Sequence, residues 1–393
     1  MRFVHTADLH LGRKLSQMSL EQDCKHILAQ LKSLAARSGS QALVVAGDVF
    51  DSPNPSESAA RLWDRFITDM ADEGVSVLVV GGNHDSGARL AVGSNLIARA
   101  GIHIAGELRG AIEPVVIEDV NFWLVPFVRP ADVRAWATGL ELDAGSIINY
   151  DTALRLICDY IRAQPAFDKR PNVCVAHQFI TNAGVSPERS DSEHLSLGTL
   201  DNVDRRVFDG FDYVALGHIH GPQRVGSDVI RYAGSPLKLS SSEIRQQKSF
   251  VVVGIKHDGT QTRVKFKLVP VEPLRDFRKE RGGVEELVRR GKQEDEAARD
   301  DFIHAIVTDD NPIDVVARLR RVWPNLEQVT FDNAITRAAG AEQLPQEVDL
   351  KSDMRGLFAE FFQAQTGVEL ADDEAKLVED ALQKAQREER DEA

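Results

Sequence analysis

The chain has 393 residues, of which 27% are charged and 42% hydrophobic, and it carries a formal net charge of −14. That length implies two or three domains rather than one, and no apolar run is long enough to cross a membrane. The acidic balance argues against wrapping nucleic acid by bulk charge alone, although residues 369–393 hold ten acids against four bases and so concentrate the negative charge at one end, which leaves a nucleic-acid partner open.

In chain order, Met1-Arg2-Phe3-Val4-His5 runs directly into a strand over residues 2–6 with no signal-peptide pattern, which places the protein in the cytoplasm. Helical spacing of Leu20, Cys24, Ile27, Leu28, Leu31, Leu34 and Ala35 predicts a helix over 20–37. An apolar strand at 42–46, a helix at 55–73, a strand at 76–80 and a helix near 88–100 follow, the alternation that builds a sheet covered on both faces. Residues 113–127 read as strands, 152–164 as a helix, and 172–176 and 212–216 as strands. A meander of four strands is expected at 222–226, 229–233, 249–256 and 263–269. The fold class is therefore α/β, with two mixed sheets flanked by helices in a first domain, residues 1–270. Residues 271–340 read as a small α/β unit with a strand at 302–307, a helix at 312–323 and a strand at 326–331. Residues 349–393 read as two helices joined around Thr366-Gly367. The three cysteines, Cys24, Cys158 and Cys174, form no CxxC pair and read as reduced core residues.

Five motifs stand at or just past predicted strand ends: Asp8-Leu9-His10, Gly47-Asp48-Val49-Phe50-Asp51, Gly82-Asn83-His84-Asp85, His177, and Gly217-His218-Ile219-His220. Loops at strand ends are where α/β proteins assemble sites. Residues two apart in an extended loop point the same way, so Asp8 and His10 can grip one ion and His218 and His220 can face one cavity. Carboxylate, imidazole and amide oxygen without thiolate suit Mn²⁺ or Fe²⁺ and argue against structural zinc. A carboxylate can bridge a pair of ions, and Asp48 is the natural bridge because Gly47 lets the backbone turn. His84 offers an imidazole for proton transfer to a leaving group, with Asp85 beside it as a carboxylate to orient it. Asp51 either orients a ligand or caps the following turn. A lone Asp-x-His or His-x-His would be ordinary surface or core polarity. Five of eleven histidines in ordered motifs at strand ends is a different pattern. His5, His26, His103, His194, His257 and His304 are assigned no role.

This motif set resembles the calcineurin-like metallophosphoesterases and, within them, the SbcD-type nuclease subunits that work with the SbcC ATPase. The similarity runs through Val4–Gly12, Val45–Asp51, Ala215–His220 and Tyr232-Ala233-Gly234-Ser235-Pro236, covering most of residues 1–270. It implies one ion held by Asp8, His10 and His220, a second by Asn83, His177 and His218, Asp48 bridging, and His84 acting on the scissile phosphate. Ala176 precedes His177 where the wider superfamily often has glycine. The resemblance also implies two divalent ions (Mn²⁺ first, with Mg²⁺ or Fe²⁺ as alternatives), a DNA-contacting cap over 271–340, and a homodimer within a heterotetramer with an SbcC-like ATPase. The function implied is cleavage of phosphodiester bonds at DNA ends and hairpins.

The alternatives are a stand-alone phosphoesterase acting on nucleotides, cyclic nucleotides or phosphoproteins, and a binding module that keeps the fold without catalysis. The ligand set counts against the binding module, because buried polar groups without a metal are costly. The additional segments count against a small-molecule enzyme. Arg13, Lys14, Arg89, Arg189, Arg224 and Lys238 are candidate contacts for DNA phosphates, which position without reading sequence. Met354, Leu357, Phe358, Phe361 and Phe362 form an apolar stripe at helical spacing. That stripe either docks on helices of the ATPase partner or packs on this chain's own domains.

Overall fold

The computed structural model describes residues 1–193, 202–310 and 312–333, with Lys376 and Val378 besides. The chain divides into two compact units, Met1–Phe331 and Asp332–Ala393. The expected tail helices lie outside the described residues.

In the first unit the strands are β1 (Arg2–Thr6), β2 (Ala42–Ala46), β3 (Ser76–Val80), β4 (Ile102–Ala105), β5 (Val115–Ile117), β6 (Val120–Val125), β7 (Asn172–His177), β8 (Tyr213–Gly217), β9 (Gln223–Val225), β10 (Ser227–Tyr232), β11 (Ser249–His257) and β12 (Thr262–Pro270). They form two six-stranded sheets, in the orders β12-β11-β1-β2-β3-β4 and β9-β10-β8-β7-β6-β5. Strands β1 to β4 run parallel, and β11 and β12 add antiparallel at the outer edge. In the second sheet β6, β7, β8 and β10 are parallel and the two rim strands antiparallel. Both sheets are thus mixed, as the alternation of apolar runs and helices predicts. The expected four-strand meander divides instead. Strands β9 and β10 close the second sheet, whereas β11 and β12 cross back to pair with β1 in the first.

The apolar pattern accounts for the layers. Phe3, Val44, Leu78, Phe122, Val173, Val175, Tyr213 and Val251 fill the space between the sheets. Helices α1 (Glu21–Ser38) and α2 (Glu57–Asp72) cover the outer face of the first sheet. Cys24, Ile27, Leu28, Leu31, Leu34 and Ala35 of α1 are buried, the stripe its sequence shows, and Gly39 ends the helix in the left-handed conformation that glycine tolerates. Helices α3 (Pro130–Gly139) and α4 (Tyr150–Arg162) cover the second sheet. The segment expected as one helix near 88–100 is broken at Gly93, which adopts φ 73°, into Gly87–Leu90 and Ser94–Ile97. A smaller three-stranded parallel sheet, β13 (Phe277–Gly282), β14 (Phe302–Val307) and β15 (Leu326–Phe331), has its own core around Leu287, Ile303, Leu319 and Trp323. The three cysteines are free and buried.

The parallel strands of both sheets end at one rim, and glycines allow the two rims to touch. A Cβ on Gly217 would stand 1.9 Å from the Ala46 carbonyl oxygen, one on Gly47 2.1 Å from His177 Nδ1, and one on Gly82 2.0 Å from Asp48 Oδ1. Gly217→Ala therefore forces backbone against backbone, and it should lower stability by about 1–3 kcal/mol or more. Gly139→Ala, which meets nothing within 4 Å, should stay within about 0.5 kcal/mol. Urea unfolding of the two variants checks this, and equal midpoints would show that the rims are not held as close as described.

Candidate metal centre

All five motifs converge where the rims meet. Asp8, His10, Asp48, His177, His218 and His220 are each at most 8% exposed. Four of these, Asp8, His10, Asp48 and His218, have positive φ, of 52°, 43°, 48° and 103°. Backbone strain at non-glycine residues is costly and persists where surrounding structure enforces it.

The donor atoms fall into two groups that share Asp48. In one, His10 Nε2 and His220 Nε2 lie 3.2 Å apart, and a side-chain oxygen of Asp8 belongs to the same cluster. In the other, Asn83 Oδ1 is 2.9 Å from both His177 Nε2 and His218 Nδ1. Asp48 Oδ2 stands between them, 3.7 Å from His10 Nε2 and 3.4 Å from His177 Nε2. Two imidazole nitrogens in mutual contact can share at most one proton, whereas a cation between them satisfies both lone pairs. Ligands about 2.1 Å from a shared ion stand about 3 Å from each other, so both groups have the spacing of coordination shells. The donor chemistry, two carboxylates, four imidazoles and an amide oxygen, fits borderline divalent ions.

The charges are strongly coupled. Burial lifts the Asp8 carboxyl to about 7, with Asp48 adding to the rise. Burial opposes the protonated form of His177, but the Asp48 and Asp8 carboxylates outweigh it and raise the imidazole to about 9. Asp48 is held well below the carboxylate range, its burial outweighed by His177 and the other imidazoles. Burial depresses His218 to about 3 and His220 to about 4.

The carboxylates also clamp the loops. Asp8 Oδ1 accepts from the His218 backbone N–H at 3.0 Å, and Asp48 Oδ1 from the His84 N–H at 2.9 Å. The expected pairing of Asp85 with His84 needs correction. Asp85 accepts from the backbone N–H groups of Gly82, Val49 and Phe50 at 2.9, 3.1 and 2.9 Å, tying the loop after β3 to the loop after β2. His84 Nδ1 meets the Asp51 carbonyl oxygen at 3.0 Å instead. The Asp51 side chain lies 3.3 Å from His10 Nδ1 and 3.1 Å from Arg13.

Three residues with no motif signal join the centre. Ser192 Oγ is 2.7 Å from His220 Nδ1 and hydrogen bonds to Glu243. Glu243, fully buried, also meets the Lys248 ammonium at 2.5 Å. No periodicity marks these residues; only the fold brings them to His220.

Among the candidate DNA contacts, Lys14, Arg89 and Arg189 are exposed. Arg189 lies 5.8 Å over the Phe179 ring, which in turn packs against His218. Arg13, Arg224 and Lys238 are engaged with Asp51, Asp228 and Asp276. A cleft of about 630 Å³, lined by Gly82, Asn83, Arg109, Phe127 and Arg129 among others, opens beside Asn83. Met354, Leu357, Phe358, Phe361 and Phe362 lie outside the described residues. His5, with Tyr213 and Leu216 as partners, is a satisfied core histidine. Among the described residues no helix is long and apolar enough to cross a membrane.

Residues 1–222 match the model of the calcineurin-like phosphoesterase family. The chain is 30% identical over 341 residues to the D component of the nuclease SbcCD from Staphylococcus epidermidis, covering 85% of this chain and 87% of that protein. It is 28% identical over 385 residues to the same component from Staphylococcus saprophyticus, covering 96% and 97%. A dimetal phosphatase from Danio rerio superposes with a TM-score of 0.40 at 15% identity, over 70% of this chain and 99% of that one.

Metal uptake by this centre must displace protons, because Asp8 and His177 carry them up to about 7 and about 9 when no ion is present. Both sites bind metal in their deprotonated form, so apparent affinity should climb with pH from about 6 to about 9 and level off above, with protons released on binding. Calorimetric titration of metal-free protein in buffers of different ionisation enthalpy measures this. A pH-independent affinity across that window would contradict the protonation pattern.

Proposed function

We propose, from the premise that this chain belongs to the calcineurin-like phosphoesterases and among them to the SbcD nuclease subunits, that it hydrolyses DNA phosphodiester bonds as the nuclease subunit of an ATP-driven complex. The single observation that carries the reading is the convergence of seven donor side chains in two groups around Asp48. Similarity to the SbcD relatives extends over 96% of this chain, well past the residues matched by the phosphoesterase model. That extent favours the nuclease subunit over a stand-alone phosphoesterase.

In this reading Asp8, His10 and His220 would hold one divalent ion and Asn83, His177 and His218 another, with Asp48 available to both. Two such ions would supply Lewis acidity toward a phosphate and lower the pKa of a bound water. The imidazole-rich set favours Mn²⁺ over Mg²⁺, which prefers strongly hydrated all-oxygen surroundings. His84 presents Nδ1 to the Asp51 carbonyl, so that nitrogen keeps its proton and proton exchange with the leaving oxygen falls to Nε2. Asp85 acts through the backbone, fixing the turn that carries Asn83 and His84. The cleft beside Asn83 is the approach for the strand, and the exposed Arg189 and Lys14 are assigned as phosphate contacts. Residues 271–340 serve as the DNA-contacting cap. The partner is an SbcC-like ATPase in an assembly built on a homodimer, and the stripe Met354, Leu357, Phe358, Phe361 and Phe362 is its dock.

Two variants separate metal binding from chemistry. Asp48→Asn should lose metal with activity, whereas His84→Ala should keep its metal and cut DNA about 10²–10⁴-fold more slowly. Metal analysis beside single-stranded DNA cleavage rates decides; a His84→Ala protein that is empty, or nearly as fast as the parent, contradicts this division of roles. For the partner, deletion of residues 345–393 should leave a metal-loaded nuclease active on single strands but unable to co-purify with the ATPase. Tight association after that deletion would move the dock elsewhere, and an insoluble product would assign the tail to this chain's own core.

A further inference from the structure

The two groups of donor atoms are supported differently from behind. Each imidazole of the first group has a carboxylate at its outer nitrogen and a cation beyond that carboxylate. Behind His10, Asp51 Oδ1 is 3.3 Å from Nδ1 and 3.1 Å from Arg13. Behind His220, Nδ1 is 2.7 Å from Ser192 Oγ and 3.3 Å from Glu243 Oε1, and Lys248 Nζ is 2.5 Å from Glu243 Oε2. In the second group, the near partner of His177 Nδ1 is a neutral backbone carbonyl, that of Ala46 at 2.8 Å, with the Asp8 carboxylate farther away at 3.9 Å, and Asn83 brings an uncharged amide. Asp8 also clusters with Asp48 and His177, but it reaches His177 at the outer Nδ1, 3.9 Å away, and not at the Nε2 that meets Asn83.

We propose that the two metal positions are unequal: the position of Asp8, His10 and His220 holds its ion more tightly, and Ser192 and Glu243 are positioning residues that make it so. The inference rests on the two-metal reading above. The hydrogen-bond directions follow from proton counting. Glu243, paired with Lys248, only accepts; Ser192 has one hydroxyl proton and donates it to Glu243. Its lone pair then accepts the Nδ1 proton of His220. His220 is thereby fixed in the tautomer whose Nε2 lone pair faces His10 Nε2, 3.2 Å away, across the ion position. A carboxylate behind an imidazole orients the ring and increases its basicity as a ligand, and loss of such support typically costs 10–100-fold in metal affinity. Ser235 Oγ at 2.9 Å from Lys248 and the Leu239 N–H at 3.2 Å from Glu243 complete the buried network that holds the carboxylate in place.

The test is Mn²⁺ binding to the metal-free full chain, followed by calorimetry and by the electron paramagnetic resonance of the free ion. The wild-type chain should show two classes differing at least about tenfold, and Glu243→Gln and Ser192→Ala should each weaken the tighter class about 10–100-fold while leaving the looser class within about threefold. Ser192→Thr, which keeps the hydroxyl, should restore the tighter class. Asp51→Asn should weaken the same class from the His10 side, and Asn83→Ala should remove the looser class alone. If Glu243→Gln fails to fold, because it leaves Lys248 unpaired, Ser192→Ala and Asp51→Asn carry the test by themselves. A single class in the wild type, or variants that weaken both classes alike, overturns the inequality while the metal centre stands. No Mn²⁺ uptake by the wild type overturns the metal centre itself.

Discussion

The contact on which the rest depends is the meeting of two strand ends, Gly217 of one sheet against the Ala46 carbonyl of the other. No side chain fits there: a Cβ would sit 1.9 Å from that oxygen. Because the rims touch, ligands carried by strands β1, β2, β3, β7 and β8 can reach two adjoining points. The closeness has a cost. Among the described residues nine non-glycine positions adopt positive φ, and four of them are candidate ligands. Strain concentrated in this way marks a place where the geometry of side chains has been favoured over relaxed backbone.

A second cost is electrostatic. Asp8 and Asp48 are 1% and 2% exposed, and a carboxylate so buried must be paired, protonated or bound to a cation. Without an ion the site neutralises itself with protons: Asp8 rises to about 7 and His177 to about 9. The charges that would bind metal are thus partly cancelled by shared protons, and an ion takes the place of those protons rather than entering a bare anionic hole. Metal binding, protonation and integrity of the rim are therefore one coupled equilibrium.

The ligands could be read from the sequence because each stands beside a recognisable backbone event. Asp48, Asn83 and His218 each follow a glycine at the end of an apolar strand, so residue type and location point the same way. What adjacency suggests about side-chain partnership is less dependable. Asp85 follows His84, yet the turn sends its carboxylate to three backbone N–H groups while the imidazole goes to the Asp51 carbonyl. Ser192, Glu243 and Lys248 were not legible at all. They lie 28, 23 and 28 residues from His220, in segments whose polar composition reads as surface until the fold buries it. Helix α3 and strand β13 were missed for a local reason. The helix is only ten residues long, and Arg278, Lys279, Glu280 and Arg281 in the strand mask its period. Pro130 does stand at the first position of the helix, where its fixed backbone angle and missing N–H are tolerated.

The carboxylates have two duties, and this explains why so crowded a site can be prepared before an ion arrives. Asp8 faces the first donor group and also accepts the backbone N–H of His218 from the second. Asp48 faces both groups and also accepts the N–H of His84. Each therefore fastens a neighbouring loop as well as offering an oxygen. Asp85 adds a third clamp without facing the donors. The ligand-bearing loops are thus cross-braced by hydrogen bonds to carboxyl oxygens, which strengthen when the carboxyl is ionised. Little conformational freedom is left to lose when an ion binds, so its affinity is not spent on ordering the loops. The bracing also joins the two donor groups mechanically, since a shift of Asp8 moves His218 and a shift of Asp48 moves both. The inequality proposed for the two positions is then traced to groups that the braces do not share, above all those behind the His10 and His220 imidazoles.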